Sequence, residues 1–362
     1  MLGSPVLILR YSFWFLGNLI RRIKKPPNYV VFVLEGEYPD LRRPRARFLQ
    51  KRLFPDLRIS LEELGERFRA VEYDHRVAGV VIHLGNLKIS MAQAQTVRDF
   101  IGRLQSAGKR TVAWSSSYDN TRYYVAAAAD EILLQTGGEA APVGLRTTFT
   151  FLADSLDKIG VKADFVQISP YKSAADSLMR RSLSEEAREM SNWLLDAYYE
   201  DFIQAVASGR RLEYDEAKAL VDGAPYTDLR AVEAQVVDRL ISEEDLPSYL
   251  GTEDKPARLA TWEATRRQLL LPPLSPRGRH VALIRIEGPI VDGWSQQPPF
   301  KSPLPVPMVS GPRSGDLTVV QQARRVLTDK RTAAVLLYVD SPGGSASASE
   351  AISAALQKVA DK

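Results

Sequence analysis

Apolar residues fall along this chain in two rhythms. Four short, nearly unbroken runs, NYVVFVLE (28–35), VAGVVIHL (77–84), TVAW (111–114) and EILL (131–134), read as strands covered on both faces, because a strand with one wet face alternates instead. Between them the period lengthens to that of a helix. Ser60-Leu61-Glu62-Glu63 is a capping-box pattern that opens a helix through about Val71. Met91 to Leu104 places Val97, Phe100, Ile101 and Leu104 on one helical face. Tyr123 to Ala129 is helical, and its small residues suit tight packing. ADFVQI (163–168) is strand-like. Ser184 to Gly209 predicts a long helix whose Trp193, Leu194, Leu195, Ala197, Tyr198, Phe202, Ile203 and Val206 form a wide face for packing in the domain or at a subunit contact. Strands alternating with helices in this way imply an α/β fold with a mostly parallel sheet.

The last part of the chain repeats the first. RHVALIRIE (279–287) runs into Gly288 as NYVVFVLE runs into Gly36, a helix follows over Thr318 to Leu327, and Ala333 to Val339 is a strand. With Asp74 set opposite Asp329 and no gap, Asp74, Arg76, Ala78, Val80 and Ser90 meet identical residues, Ser90 falling on Ser345. The order of elements carries the match more than the letters do, and it indicates an internal duplication of a large α/β unit. The first copy continues past its matching helix, from Gly108 to about Gly251, and the second has no counterpart of that stretch. The expected organisation is a helix over 1–25, a first repeat over 26–250, a polar, Pro-containing connector over 251–278, and the start of an incomplete second repeat over 279–362.

The N-terminus changes the picture. Pro5 to Ile20 is nearly continuous apolar sequence broken by Arg10, Ser12 and Asn18, and Arg21, Arg22, Lys24 and Lys25 follow. The charge comes after the apolar run and no small-residue cleavage site appears, so this is not an ordinary signal peptide. It is short for a span of about 20 residues. Either a short span or an interfacial helix fits, and both make it a membrane anchor; the alternative is a helix packed on a soluble surface. The basic stretch Arg42 to Arg58 suits anionic headgroups or a solvated loop equally.

Composition excludes several chemistries. The 362 residues are 45% hydrophobic and 25% charged, an ordinary globular balance, with a net charge of +4 that gives no reason to expect nucleic acid. There is no cysteine, so disulfides, thiolate metal sites and cysteine nucleophiles are out. The three histidines, His75, His83 and His280, lack metal-ligand spacing and leave little for a Ser-His-Asp triad. No metal or cofactor is expected.

Two segments carry candidate chemistry. Asp340-Ser341-Pro342-Gly343-Gly344-Ser345 lies at a strand end before a helix, where glycines let backbone N–H groups turn toward an anion. No Gly-Lys-Ser/Thr follows, so it is not a Walker phosphate loop. Ser345 suits a helix cap; as an exposed serine after a strand-to-helix turn it is also a nucleophile candidate. The first copy has Lys88 and Ile89 where the second has Gly343 and Gly344, so only the second can make the cradle. The other segment is Ser169-Pro170-Tyr171-Lys172-Ser173-Ala174. A lysine there can be withdrawn from water and act as a neutral base, or it can be a solvated surface lysine.

Taken together, YYVAAAADEI (123–132), GVKADFVQISPYKSAAD (160–176), LSEEAREMSNWLLDAYYEDF (183–202), GAPYTDLRAVEAQVVDRL (223–240) and VDSPGGSASASE (339–350) resemble the signal peptide peptidase A family, serine peptidases of family S49, in its long duplicated form. The resemblance covers nearly the whole chain from about Asn28. It implies tandem repeats with the ββα units of crotonase and Clp-protease folds, and a Ser-Lys dyad. Lys172 matches the general base, and Gly343 and Gly344 the oxyanion hole. Ser345 is then the lesser candidate for nucleophile. The family's attacking serine stands in an Ala-Ser-Gly-Gly segment roughly thirty residues further on, which would lie beyond Lys362, and the chain by itself is expected to be inactive. The implied substrates are remnant signal peptides or other apolar peptides, the implied assembly a homo-oligomer, and the implied place the bacterial inner membrane. Basic residues after the anchor point the body toward the cytoplasm, whereas anchored family members usually face outward, so orientation stays open. A non-catalytic membrane-associated scaffold and a crotonase-type acyl-CoA enzyme are the competing readings; the second would leave Lys172 in PYKSA unexplained.

Overall fold

The computed structural model describes residues 5–42, 59–166, 168–169, 171–274, 278–296 and 311–362, with the backbone alone for residues 5–8. The chain divides into two compact units, Met1–Pro273 and Leu274–Lys362.

The first unit begins with helix α1 (Pro5–Ile23) and is organised on a sheet. Its main strands are β1 (Tyr29–Gly36), β2 (Gly79–Leu87), β3 (Arg110–Tyr118) and β4 (Glu131–Ala140), joined by helices α2 (Leu61–Tyr73), α3 (Met91–Ser106) and α4 (Asn120–Ala126). Shorter pieces complete it: α5 (Ala153–Lys158), α6 (Asp176–Met179), the long α7 (Glu185–Arg210), α8 (Tyr214–Asp222), β5 (Tyr226–Thr227), α9 (Asp228–Glu233), β6 (Arg239–Leu240), α10 (Leu246–Leu250), β7 (Leu259–Thr261) and α11 (Trp262–Thr265). The strand order is β5-β4-β3-β2-β1-β7, with β6 also on β4; every pairing is parallel except that of β5. Alternate residues serve opposite faces. Val30, Phe32, Leu34, Val80, Ile82, Leu84, Ile132 and Leu134 pack with α2, α3 and α4 in one cluster, while Tyr29, Val81, Val112, Trp114 and Leu133 pack with Ile241, Leu246 and Leu250 in another. Coverage of both faces is why the strands read as continuous apolar runs.

The second unit pairs β8 (His280–Glu287) in parallel with β11 (Thr332–Asp340). Between them lie β9 (Ile290–Val291), β10 (Ser314–Gly315) and α12 (Asp316–Thr328); α13 (Ala346–Ala360) follows. Ile284, Ile286, Val319, Ala323 and Ile352 form its small core. Val281, Leu336, Leu337 and Val339 are left exposed.

The two units share several local features. Gly36 and Gly288, which end the first strand of each, share φ of +70°. Asp74 and Asp329 are the C-caps of α2 and α12, with ψ of 97° and 107°. Each then accepts the N–H of the arginine two residues on, Arg76 at 3.1 Å and Arg331 at 2.9 Å. Ser90 and Ser345 cap the helices that follow. The mostly parallel α/β class is what the structure has.

Three expectations need adjustment, and a fourth lies almost wholly outside the described residues. Residues 251–278 do not act as a free connector in their first part: β7 hydrogen-bonds to β1 in register from Tyr29–Leu259, because its backbone satisfies a sheet edge. ADFVQI forms no strand over its described residues; nothing there pairs its backbone, and Val166 and Ile168 stand exposed. The wide face of α7 is buried only in its second half, at Phe202, Ile203, Ala205 and Val206, while Trp193, Leu194 and Tyr198 are exposed. Of the basic stretch, only Arg42 is described, paired with Glu63 at 3.4 Å and with Glu66; positions 43–58 lie outside the described residues. Among the described residues no helix is long and apolar enough to cross a membrane.

Candidate active-site elements

In the second unit the glycine turn is a rigid fixture. The Ile290 N–H donates to the Gly343 carbonyl at 3.0 Å, and the Ser345 N–H donates to the Ile290 carbonyl at 2.9 Å. This parallel bridge of Ile290 and Gly344 leaves no room for a side chain: a Cβ on Gly344 would lie 2.0 Å from the Ile290 carbonyl oxygen. Gly343 sits at φ +98°, a conformation that favours glycine, and its N–H donates to Ser341 Oγ at 3.1 Å. The bridge makes no use of the Gly344 N–H. Of the two expected oxyanion donors, then, the Gly343 amide is held internally by Ser341, and the Gly344 amide is the one the bridge leaves over.

Ser345 is the N-cap of α13, its hydroxyl accepting the Ala348 N–H at 3.3 Å. Its Oγ is also 2.9 Å from Ser347 Oγ, and Ser347 donates to Asp292 at 2.9 Å. Hydrogen bonds from Ser345 and then Ser347 hold the Asp292 carboxyl below the usual carboxylate range. The Ser345 hydroxyl is thus engaged both as a helix cap and in a chain of hydrogen bonds with Ser347 and Asp292. Sequence reasoning did not find Asp292 or Ser341. Ser341 stands within the turn itself, but Asp292 comes from a loop more than fifty positions earlier and carries no local signal.

In the first unit Lys172 lies in a turn, its N–H donating to the Ser169 carbonyl at 3.0 Å, and its side chain is exposed. The turn is fastened to the start of α7. Tyr171 donates its hydroxyl to Glu189 at 3.0 Å, and the buried Asp176 accepts the Ser184 hydroxyl at 3.3 Å and pairs with Arg180 at 3.5 Å. Ser184 also caps α7 through the Ala187 N–H at 3.1 Å. The YYVAAAADEI run is structural: Tyr123 and Tyr124 are buried, and Tyr123 donates to the Val236 carbonyl at 2.9 Å. Burial drives the Tyr123 hydroxyl far above its ordinary value. Among the described residues no three His, Asp or Glu side chains gather so as to hold a metal ion.

Parallel strands with helices between them, and a glycine turn at 343–344 that feeds a helix, place the chain in the mostly parallel α/β class. Residues 103–255 match Peptidase family S49. Serine protease SPPA, chloroplastic, of Arabidopsis thaliana is 27% identical over 301 residues, which is 81% of this chain and 42% of that protein. Protease 4 of Haemophilus influenzae is 28% identical over 319 residues, 82% of this chain and 48% of that protein. The chain is similar to peptidase family S49 over residues 103–255, and it spans less than half the length of these relatives. Likeness to solved structures is slight: a point mutant of the 1510-N membrane-bound stomatin-specific protease gives a TM-score of 0.32 at 9% identity, over 60% of this chain and 81% of that one. An enoyl-CoA hydratase/isomerase family protein from Silicibacter pomeroyi gives 0.32 at 16%, over 62% and 75%.

Proposed function

We propose that this chain is the base-bearing and cradle-bearing part of a serine-type peptidase that cleaves apolar peptides, such as remnant signal peptides, at a membrane. Lys172 takes the proton of an attacking serine and returns it to the leaving amine. The Gly343-Gly344 turn receives the oxyanion of the tetrahedral intermediate, chiefly through the Gly344 N–H. A fixed donor of this kind is worth about 2.7–4 kcal/mol to the transition state. The observation that carries the reading is the bridge at Ile290, which holds the Gly344 backbone rigid at the mouth of a helix while making no use of its amide. The family match supports the reaction class. The attacking serine is expected in the part of the longer relatives that has no counterpart here, since Ser345 serves as a cap. The base role requires that Lys172, exposed in this structure, be withdrawn from water in the working assembly, for which a homo-oligomer is the natural means.

The test is hydrolysis of an apolar peptide by the full-length protein. Lys172→Ala should lower kcat by roughly 10²–10⁴-fold with the circular dichroism spectrum unchanged. Ser345→Ala should keep most of the activity. Full turnover by the lysine variant removes Lys172 from the mechanism, and complete loss in the serine variant restores Ser345 as nucleophile.

A further inference from the structure

Helix α1 is arranged inside out for a helix on a soluble domain. Such a helix normally turns its apolar stripe to the core and its polar stripe to water. Here the polar groups face the protein. Trp14 donates its indole N–H to the Pro272 carbonyl at 2.8 Å. Asn18, buried, donates to the Leu271 carbonyl at 3.3 Å and accepts the Leu271 N–H at 2.7 Å. Arg21 donates to the carbonyls of Arg266 and Leu269 at 3.0 and 2.6 Å. Positions 14, 18 and 21 share one helical face. Arg76 grips the end of the helix from the turn before β2: held by Asp74 at 2.6 Å, it donates to the carbonyls of Arg21, Lys24 and Gln268, each at 2.9 Å.

The opposite face is bare and, apart from Ser12, apolar. Leu9, Phe13, Leu16, Leu19, Ile20 and Ile23 lie along it at three- and four-residue spacing, 58, 67, 53, 48, 53 and 83% exposed. An uncovered stripe of this length marks an interaction surface. Charge says what covers it. No acidic residue precedes Glu35, while Arg22, Lys24 and Lys25 are exposed at the end of the helix. A second copy would bring no carboxylate of its own helix to meet these cations; anionic headgroups would. A crossing helix would drag the Leu269–Pro272 backbone into hydrocarbon with it, or strip the bonds made by Trp14, Asn18 and Arg21.

We infer that α1 lies in the plane of a membrane, sunk by one face into a leaflet rich in anionic headgroups, with its roll fixed by the Trp14, Asn18, Arg21 and Arg76 contacts. This rests on the membrane reading above and commits it to one geometry, which leaves the protein on a single side of the bilayer. The chain has no cysteine, so single cysteines at positions 9, 13, 16 and 20 of the full chain can each carry a nitroxide whose depth in vesicles is read by power saturation. In vesicles of mixed phosphatidylglycerol and phosphatidylcholine, the four labels should report one common shallow depth. Depths that step by about 1.5 Å per residue would make α1 a span, overturning the inference while the membrane reading stands. No association with vesicles, or labels shielded without lipid in a dimer seen by sedimentation, overturns both. Joint replacement Arg22→Gln, Lys24→Gln and Lys25→Gln should weaken binding to these vesicles roughly 100-fold, with the circular dichroism spectrum unchanged. Equal binding to phosphatidylcholine alone removes the anionic requirement and overturns that part of the inference.

Discussion

Asp74 is fully buried in the fold. Burial pushes its carboxyl up, but bonds from Arg76 and from the Leu270 N–H outweigh this and hold it below the ordinary carboxylate range. Lys109 completes the cluster, donating from Nζ to the carbonyls of Asp74 and Val77 at 2.8 Å each. A depressed carboxyl contributes stability that is complete above the unfolded value of about 4 and is lost as pH falls through the folded value. Unfolding in urea at pH 7 and pH 3 should therefore show the protein weaker in acid, with part of that slope absent in Asp74→Asn. The same variant should cost about 3 kcal/mol at pH 7, since it strands Arg76. The sequence offered Asp74 and Arg76 only as letters matching Asp329 and Arg331; their ties to Gln268 and Leu270 join positions nearly two hundred apart, and no local pattern records them. Gly344 is the other residue on which much turns. Gly344→Ala should break the Ile290 bridge, seen as faster amide exchange at Ile290 and Ser345; unchanged protection would mean the turn is looser than its geometry.

Element boundaries were legible wherever capping and periodicity act alone. The Ser60 box and the Ser345 cap stand where the sequence puts them, because each is decided within about four residues, whereas β3 and β4 run on to Tyr118 and Ala140, past the apolar runs that announced them. Helix α7 shows the limit. Its length was plain, yet its apolar residues divide into a covered half and a bare half with no change in pattern. Phe202→Ala should cost about 3–5 kcal/mol, whereas Trp193→Ser should stay within about 0.5 kcal/mol in denaturant unfolding of the isolated chain. A large cost at Trp193 would mean that this half is covered in solution.

At the scale of the molecule the two units are unequal. The first rests on a sheet covered on both faces, the second, among the described residues, on the pair of β8 and β11 and two helices around a small apolar cluster. A two-stranded sheet with so small a core is marginal by itself. Hydrogen exchange should release β8 and β11 well before β1 and β2, and equal protection would show that something shields Val281, Leu336 and Val339 in solution. The sequence by itself determined the order of strands and helices, the duplication, the caps and the glycine turn at 343–344, because all of these follow from spacings of a few residues or from the absence of a side chain. Only the tertiary structure decided that α1 turns its polar side inward, that half of α7 and the Lys172 side chain stand in solvent, and that Ser341 and Asp292 occupy the turn. An apolar stripe looks the same in sequence whether a core, a lipid leaflet or another chain will cover it, and a lysine carries no mark of how much water it will keep.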